Sequence, residues 1–153
     1  NLKPLDLQAA MGLQQLDKLE MLDKARRDNF IKLSEIFEPY EKYFYSPKPT
    51  DKADPCWFGY LTTVRPDAPF TKDDIVRHLE DNKIQTRSYF AGNILAHPGY
   101  RHLSFKYVNL SKSFPVARLV TTNSFFLGTF IGLTEEKIAY IKKTIDEFFE
   151  GIE

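Results

Sequence analysis

A chain of 153 residues, 42% hydrophobic and 27% charged, has room for one domain with a real core and is too short for two. Lysine plus arginine and aspartate plus glutamate each total 21, so the net charge is zero and nothing in the balance draws the chain to nucleic acid or to an anionic membrane. The single cysteine, Cys56, excludes an internal disulfide and a closed thiolate metal site, and reads as a buried structural thiol; with no membrane-length apolar run and no signal peptide, a cytoplasmic protein is expected.

Residues from Pro4 to about Tyr40 read as helix, with Pro4 in the first turn and Asp6 near its positive end. Ala9, Leu13 and Leu16 make one apolar stripe and Phe30, Leu33 and Phe37 another, but the two do not join in phase, which predicts a break between about Asp17 and Asp23. Ser46 to Pro55 is a loop, since three prolines forbid a regular ladder. Cys56 to Val64 reads as a first strand. Thr71 and Asp74 form a capping pair for a helix through about Asn82, with Ile75, Val76 and Leu79 inward and His78 facing solvent. "IQTRSYF" reads as a second strand, a short helix begins near Pro115, and "NSFFLGTF" reads as a third strand. Thr134 caps the last helix, whose buried stripe is Ile138, Ile141, Ile145 and Phe148. The sum is an α+β domain: long amino-terminal helices packed on a small, mostly antiparallel three-stranded sheet with further helices.

The chemistry-bearing patterns are few. Gly92, Gly99, Gly128 and Gly132 are isolated, which removes a glycine-rich phosphate loop, and His78, His97 and His102 lack metal-ligand spacing. No partnered nucleophile follows from the spacing, so no catalytic residue is assigned. The stretch "QTRSYFAGNILAHPGYR" is the exception. Arg87 and Tyr89 point to one strand face, and Gly92-Asn93 offers a sharp turn and an amide that donates and accepts. Residue types alone leave two readings: a hand for a polar ligand, or a strand with one ion-paired arginine and a Gly-Asn turn.

Order along the chain adds a resemblance. "NLKPLDLQAAMGLQQLDKLEMLDKARRDNF" resembles the segment that opens the small carboxy-terminal domain in the DegT/DnrJ/EryC1/StrS sugar aminotransferase family. "TRSYFAGNILAHPGY" and "NSFFLGTFIGLTEE" resemble the branch of nucleotide-linked 4-keto-6-deoxyhexose 3-dehydratases of lipopolysaccharide synthesis, and the similarity runs in order through essentially the whole chain. Two positions depart from the branch pattern: Ala96 and His97 stand where an Arg-Gln pair is usual, and Ile131 stands where a proline is expected. They put the sugar or nucleotide preference in doubt.

The resemblance implies the small domain of an enzyme whose amino-terminal large domain holds pyridoxal or pyridoxamine phosphate, so this chain alone is expected to be inactive and to bind no cofactor. It implies that Asn1 reaches the cofactor phosphate of the neighbouring subunit of a homodimer, that Lys3 contacts nucleotide phosphate, and that Arg87 and Asn93 line the sugar pocket of a nucleotide-sugar substrate. The residue that separates the dehydratase from an aminotransferase, a histidine or a lysine, is expected upstream of Asn1, as are the cysteines of any iron–sulfur cluster used with a reductase partner. The competing expectations are a sugar aminotransferase and a standalone helical interaction module.

Overall fold

The amino-terminal helical stretch divides where its apolar stripes lose phase. α1 runs Asp6–Leu16, a turn at Asp17 and Lys18 interrupts it, and α2 runs Leu19–Phe37. The computed structural model describes residues 3–100 and 113–152. α2 passes into a 3-10 turn, Glu38–Tyr43, entered through Pro39, whose missing N–H is tolerated at that position. β1 (Phe44–Tyr45) follows, then the proline loop, β2 (Gly59–Val64) and α3 (Lys72–Asp81). β3 (Arg87–Ser88), a 3-10 turn at Ile94–Ala96, α4 (Pro115–Asn123), β4 (Ser124–Gly128) and α5 (Glu135–Glu150) follow among the described residues.

The sheet is four-stranded and antiparallel throughout, in the order β1-β2-β4-β3. The extra strand relative to the sequence expectation is β1, which is two residues long and pairs Phe44 with Val64. A strand this short has no alternation to read. β2 begins at Gly59 and not at Cys56. There the strands approach so closely that a Cβ on Gly59 would lie 2.7 Å from Phe126 Cδ2 and 2.8 Å from the Leu127 carbonyl oxygen.

One sheet face carries Tyr60, Val64, Phe125 and Leu127 into the core, where α2, α3 and α5 lay Leu33, Phe37, Ile75, Leu79 and Ile145 against them. Two buried polar side chains tie elements together, while the buried Thr62 hydroxyl has no partner among the described residues. Asn29 of α2 donates to the Phe130 carbonyl at 2.9 Å, and the Thr129 hydroxyl donates to the Trp57 carbonyl at 2.7 Å. These bonds fix the turn that follows β4 to both α2 and the entry of β2. The capping expectations hold: Thr71 accepts from the Asp74 N–H while Asp74 accepts from Thr71, and Thr134 accepts from the Lys137 N–H.

Three side chains differ from expectation. The buried aromatic of α5 is Phe149, 4% exposed, while Phe148 is half-buried beside it. Phe149 stacks on Tyr40 with ring centroids 3.8 Å apart and meets Tyr43 and Phe70 as well, so the aromatic turn after α2 has drawn the inward face one residue along. His78 is half-buried and not solvent-facing, because its Nε2 bonds the Thr144 carbonyl at 2.9 Å and its ring lies on Phe148. Cys56 is exposed and not buried, since β2 starts only at Gly59 and leaves it on the loop.

Substitution tests the α5 assignment. Phe149→Ala is expected to cost about 3–5 kcal/mol in urea unfolding, as for other buried phenylalanines, and Phe148→Ala distinctly less. Equal losses would contradict the packing described.

Candidate functional site

A cleft of about 620 Å³ opens beside the start of β3. β3 pairs only Arg87 with Phe126 and Ser88 with Phe125, so β4 continues past it, and Leu127 and Gly128 line the cleft. Opposite walls come from the exit of α3, through Lys83 and Ile84, and from the first half of α5, through Lys137, Tyr140 and Ile141. The aromatic rim is Phe58, Phe90 and Phe130, all more than half exposed.

Each wall is positioned by local chemistry. α3 ends in paired backbone bonds, Ile84 N–H to the Leu79 carbonyl at 2.9 Å and Lys83 N–H to the Glu80 carbonyl at 3.0 Å, with Lys83 left-handed at φ 62°. That closure usually falls to glycine; here a lysine adopts it and brings its side chain to the cleft wall. Glu80 then reaches forward: its Oε1 accepts from the Thr86 N–H at 2.6 Å and from the Thr86 hydroxyl at 2.8 Å. Those two bonds, backbone first, hold the Glu80 carboxyl below its ordinary pKa and pin the residue just before Arg87.

Arg87 shares a sheet face with Phe126, and its exposed side chain lines the cleft. No ion pair within 4 Å engages it among the described residues. The ion-paired-arginine reading is therefore removed for that group. Asn93 is placed differently. It is 7% exposed, its side-chain carbonyl accepts from the Leu95 N–H at 3.2 Å, and its own N–H donates to Thr121 Oγ1 at 2.7 Å. It caps the short 3-10 turn and is not among the cleft-lining residues. Lys3 is exposed on the segment before α1 and also stands outside the cleft lining, and Asn1 lies outside the described residues. The structure thus brings Arg87 to the cleft and leaves Lys3 and Asn93 elsewhere.

Other expected features sort as follows. His97 turns inward on its own loop, its Nε2 within 2.6 Å of the Ala91 carbonyl, and His102 lies outside the described residues. The Cys56 thiol is pushed up from its ordinary pKa, by desolvation first and then by its hydrogen bond to Asp23. Among the described residues no cluster of histidine, cysteine or carboxylate suits a metal ion, and no helix is long and apolar enough to cross a membrane. Among the described residues, the cleft lining includes no carboxylate. Residue-type reading missed Phe58, Phe90, Lys83, Lys137 and Glu80. Phe58 precedes a strand in a partly alternating run and the two lysines look like solvated helix charge, so only the long-range folding of the chain unites them.

The chain belongs to the DegT/DnrJ/EryC1/StrS aminotransferase family, whose model matches residues 1–146. It is 36% identical over 97% of its length to a dTDP-4-dehydro-2,6-dideoxy-D-glucose 3-dehydratase of Saccharopolyspora spinosa, covering 31% of that protein. It is 32% identical, again over 97% of its length, to the lipopolysaccharide biosynthesis protein RfbH of Salmonella typhimurium, covering 33% of it. The chain therefore spans about a third of the curated relatives it matches. In fold it resembles the E. coli GDP-4-keto-6-deoxy-D-mannose-3-dehydratase solved with bound hydrated PLP, at a TM-score of 0.74, 23% identity and coverage of 95% of this chain and 36% of that one. An aminotransferase from Psychrobacter cryohalolentis superposes with a TM-score of 0.83 at 20% identity, covering 99% of this chain and 40% of that one.

The Glu80 clamp has a pH signature. Its folded pKa lies below the ordinary 4.5, so its stabilisation is complete above that value and is lost as pH falls through the folded pKa. Glu80→Gln is expected to lower stability at neutral pH, with the gap to wild type closing in urea unfolding as acidification carries the carboxyl through its lowered folded pKa. A gap that does not change with pH would remove the carboxylate from this role.

Proposed function

We propose that this chain is the small domain of a 3-dehydratase that removes the C3 hydroxyl of a nucleotide-linked 4-keto-6-deoxyhexose, with Arg87 on the substrate-facing wall. The observation that carries the reading is the pair of relatives matched over 97% of this chain, one of which is itself named a sugar 3-dehydratase. The unpaired Arg87 supports it from the physical side: an exposed guanidinium on a concave wall suits phosphate or sugar hydroxyls. Asn93 acts one step back, by holding the loop that carries Phe90, and Lys3 and Asn1 serve phosphate contacts across a homodimer interface.

The rest of the enzyme supplies the cofactor. Pyridoxamine phosphate, when bound, provides the electron sink for loss of the C3 hydroxyl, and no step of that chemistry is routed through the described residues here. α1 fits the same picture. No residue of this 11-residue helix is buried, and its Leu7, Met11, Leu13 and Leu16 stand 72%, 65%, 64% and 63% exposed. A helix this short is marginal in water unless its apolar side is covered, and the cofactor-bearing large domain or the second subunit is the proposed cover.

The second reading is a sugar aminotransferase, favoured by 27% identity over 99% of this chain to a GDP-perosamine synthase of Vibrio cholerae. Mass spectrometry of the product separates the two. The intact enzyme, given a nucleotide-linked 4-keto-6-deoxyhexose and its cofactor, is expected to yield a sugar that has lost the C3 hydroxyl; an amino sugar formed with an amino donor would establish the other reading. Within the intact enzyme, Arg87→Ala is expected to reduce turnover by roughly tenfold or more with little change in melting temperature. Asn93→Ala is expected to lower the melting temperature first. Equal losses of activity and stability in Arg87→Ala would return the arginine to a structural role.

A further inference from the structure

Residues 82–86 connect α3 to β3, and one residue of α3 ties both of their ends. The Glu80 carbonyl accepts the Lys83 N–H at 3.0 Å, which closes the helix, while its carboxylate reaches forward to Thr86. Oε1 alone takes both Thr86 donors, the N–H at 2.6 Å and the hydroxyl at 2.8 Å. Thr86 is 8% exposed, so these donors rely on that oxygen far more than on water.

Thr86 is the residue that delivers Arg87. β3 is two residues long, and its pairing with β4 is confined to Arg87 opposite Phe126 and Ser88 opposite Phe125. So short a ladder constrains an edge strand weakly. The two bonds from Thr86 to an ionised acceptor are stronger than neutral ones, and they supply the constraint that the ladder lacks. Arg87 also acts on the same carboxylate. The Glu80 pKa is lowered first by the two Thr86 bonds and further by the Arg87 charge, against desolvation. Yet no ion pair within 4 Å joins Glu80 to Arg87. With Oε1 committed to Thr86, the carboxylate balances the guanidinium from a distance and leaves its N–H donors to other acceptors.

We propose that Glu80 is a positioning residue for the reaction: its grip on Thr86 sets where the Arg87 guanidinium stands on the cleft wall and keeps that group out of an internal ion pair. The inference rests on the reading of Arg87 above and deepens it. Glu80 is exposed at the end of α3 and stands outside the cleft lining, so its effect passes through Thr86. A shift of about 1 Å in a group that orients substrate can cost roughly a hundredfold in rate.

A double-mutant cycle in kcat/KM tests this in the intact enzyme, assayed well below its melting temperature with a nucleotide-linked 4-keto-6-deoxyhexose. Glu80→Ala is expected to lower kcat/KM by roughly tenfold or more. In the Arg87→Ala background the same substitution should change kcat/KM by less than about twofold, because the group that Glu80 acts through is gone. Glu80→Gln keeps an oxygen for Thr86 and should recover part of the loss. Thr86→Val removes only the hydroxyl bond, and its smaller loss should also vanish in the Arg87→Ala background. That variant carries the test if Glu80→Ala fails to fold. Equal losses with and without Arg87 would overturn the proposal, since a merely structural role acts alike in both backgrounds. So would unchanged kcat/KM in Glu80→Ala and Thr86→Val. The two readings fail separately: a large Arg87→Ala effect with an additive Glu80→Ala effect removes only the role of Glu80, whereas a silent Arg87→Ala removes the arginine from the substrate wall and this proposal with it.

Discussion

The cleft exists because β3 begins only at Arg87. Its pairing with β4 is confined to Arg87 and Ser88, and beyond them the chain turns away through a left-handed phenylalanine and a glycine that tolerates no side chain. Had the strand begun two residues earlier, Gln85 and Thr86 would have lain opposite Gly128 and Leu127, which instead line the cleft. The truncation keeps Arg87 at the edge of a concavity, while Glu80 fixes its approach by gripping Thr86 from the preceding helix. Packing elsewhere in the domain is conventional: three helices on one sheet face, with aromatic stacking about Phe149. The fold is a rigid support for one open end of the sheet.

That arrangement explains an uneven distribution of polar satisfaction. Inside the domain, buried amides and hydroxyls such as Asn29 and Thr129 bond to backbone carbonyls, with the Thr62 hydroxyl an unpaired exception among the described residues. At the open end, no ion pair within 4 Å reaches Lys83, Arg87 or Lys137 among the described residues, and Phe58 and Phe90 stand exposed. Buried polar groups are mostly paired, whereas a binding wall needs donors and rings left available for what arrives. The exposed apolar side of α1 belongs to the same account. The chain spans about a third of its curated relatives, and the proposed remainder of the enzyme covers that helix and completes the cleft.

Much of the fold is legible in the residues because it depends on local chemistry. The Thr71–Asp74 cap, the break near Asp17 and the start of α4 at Pro115 all follow from side chains a few positions apart. What escapes is what depends on distant partners. β1 is two residues whose only reason to be a strand is Val64, and Phe149 displaces Phe148 because Tyr40, a hundred residues away, stacks on it. At the site, Arg87 declares itself by residue type and strand-end position. Asn93 does not, because an amide beside a glycine suits a ligand and a turn cap equally well, and only the bonds from Leu95 and to Thr121 decide its local role. Phe90 is illegible for a further reason: no rule of propensity places a phenylalanine at positive φ, so its left-handed turn is invisible until the backbone is seen.

The most direct measurement is an experimental structure of the intact enzyme with a nucleotide-linked sugar bound. The account predicts substrate oxygens within hydrogen-bonding distance of the Arg87 guanidinium. A cleft filled by side chains from another part of the polypeptide, with the substrate bound elsewhere, would contradict it.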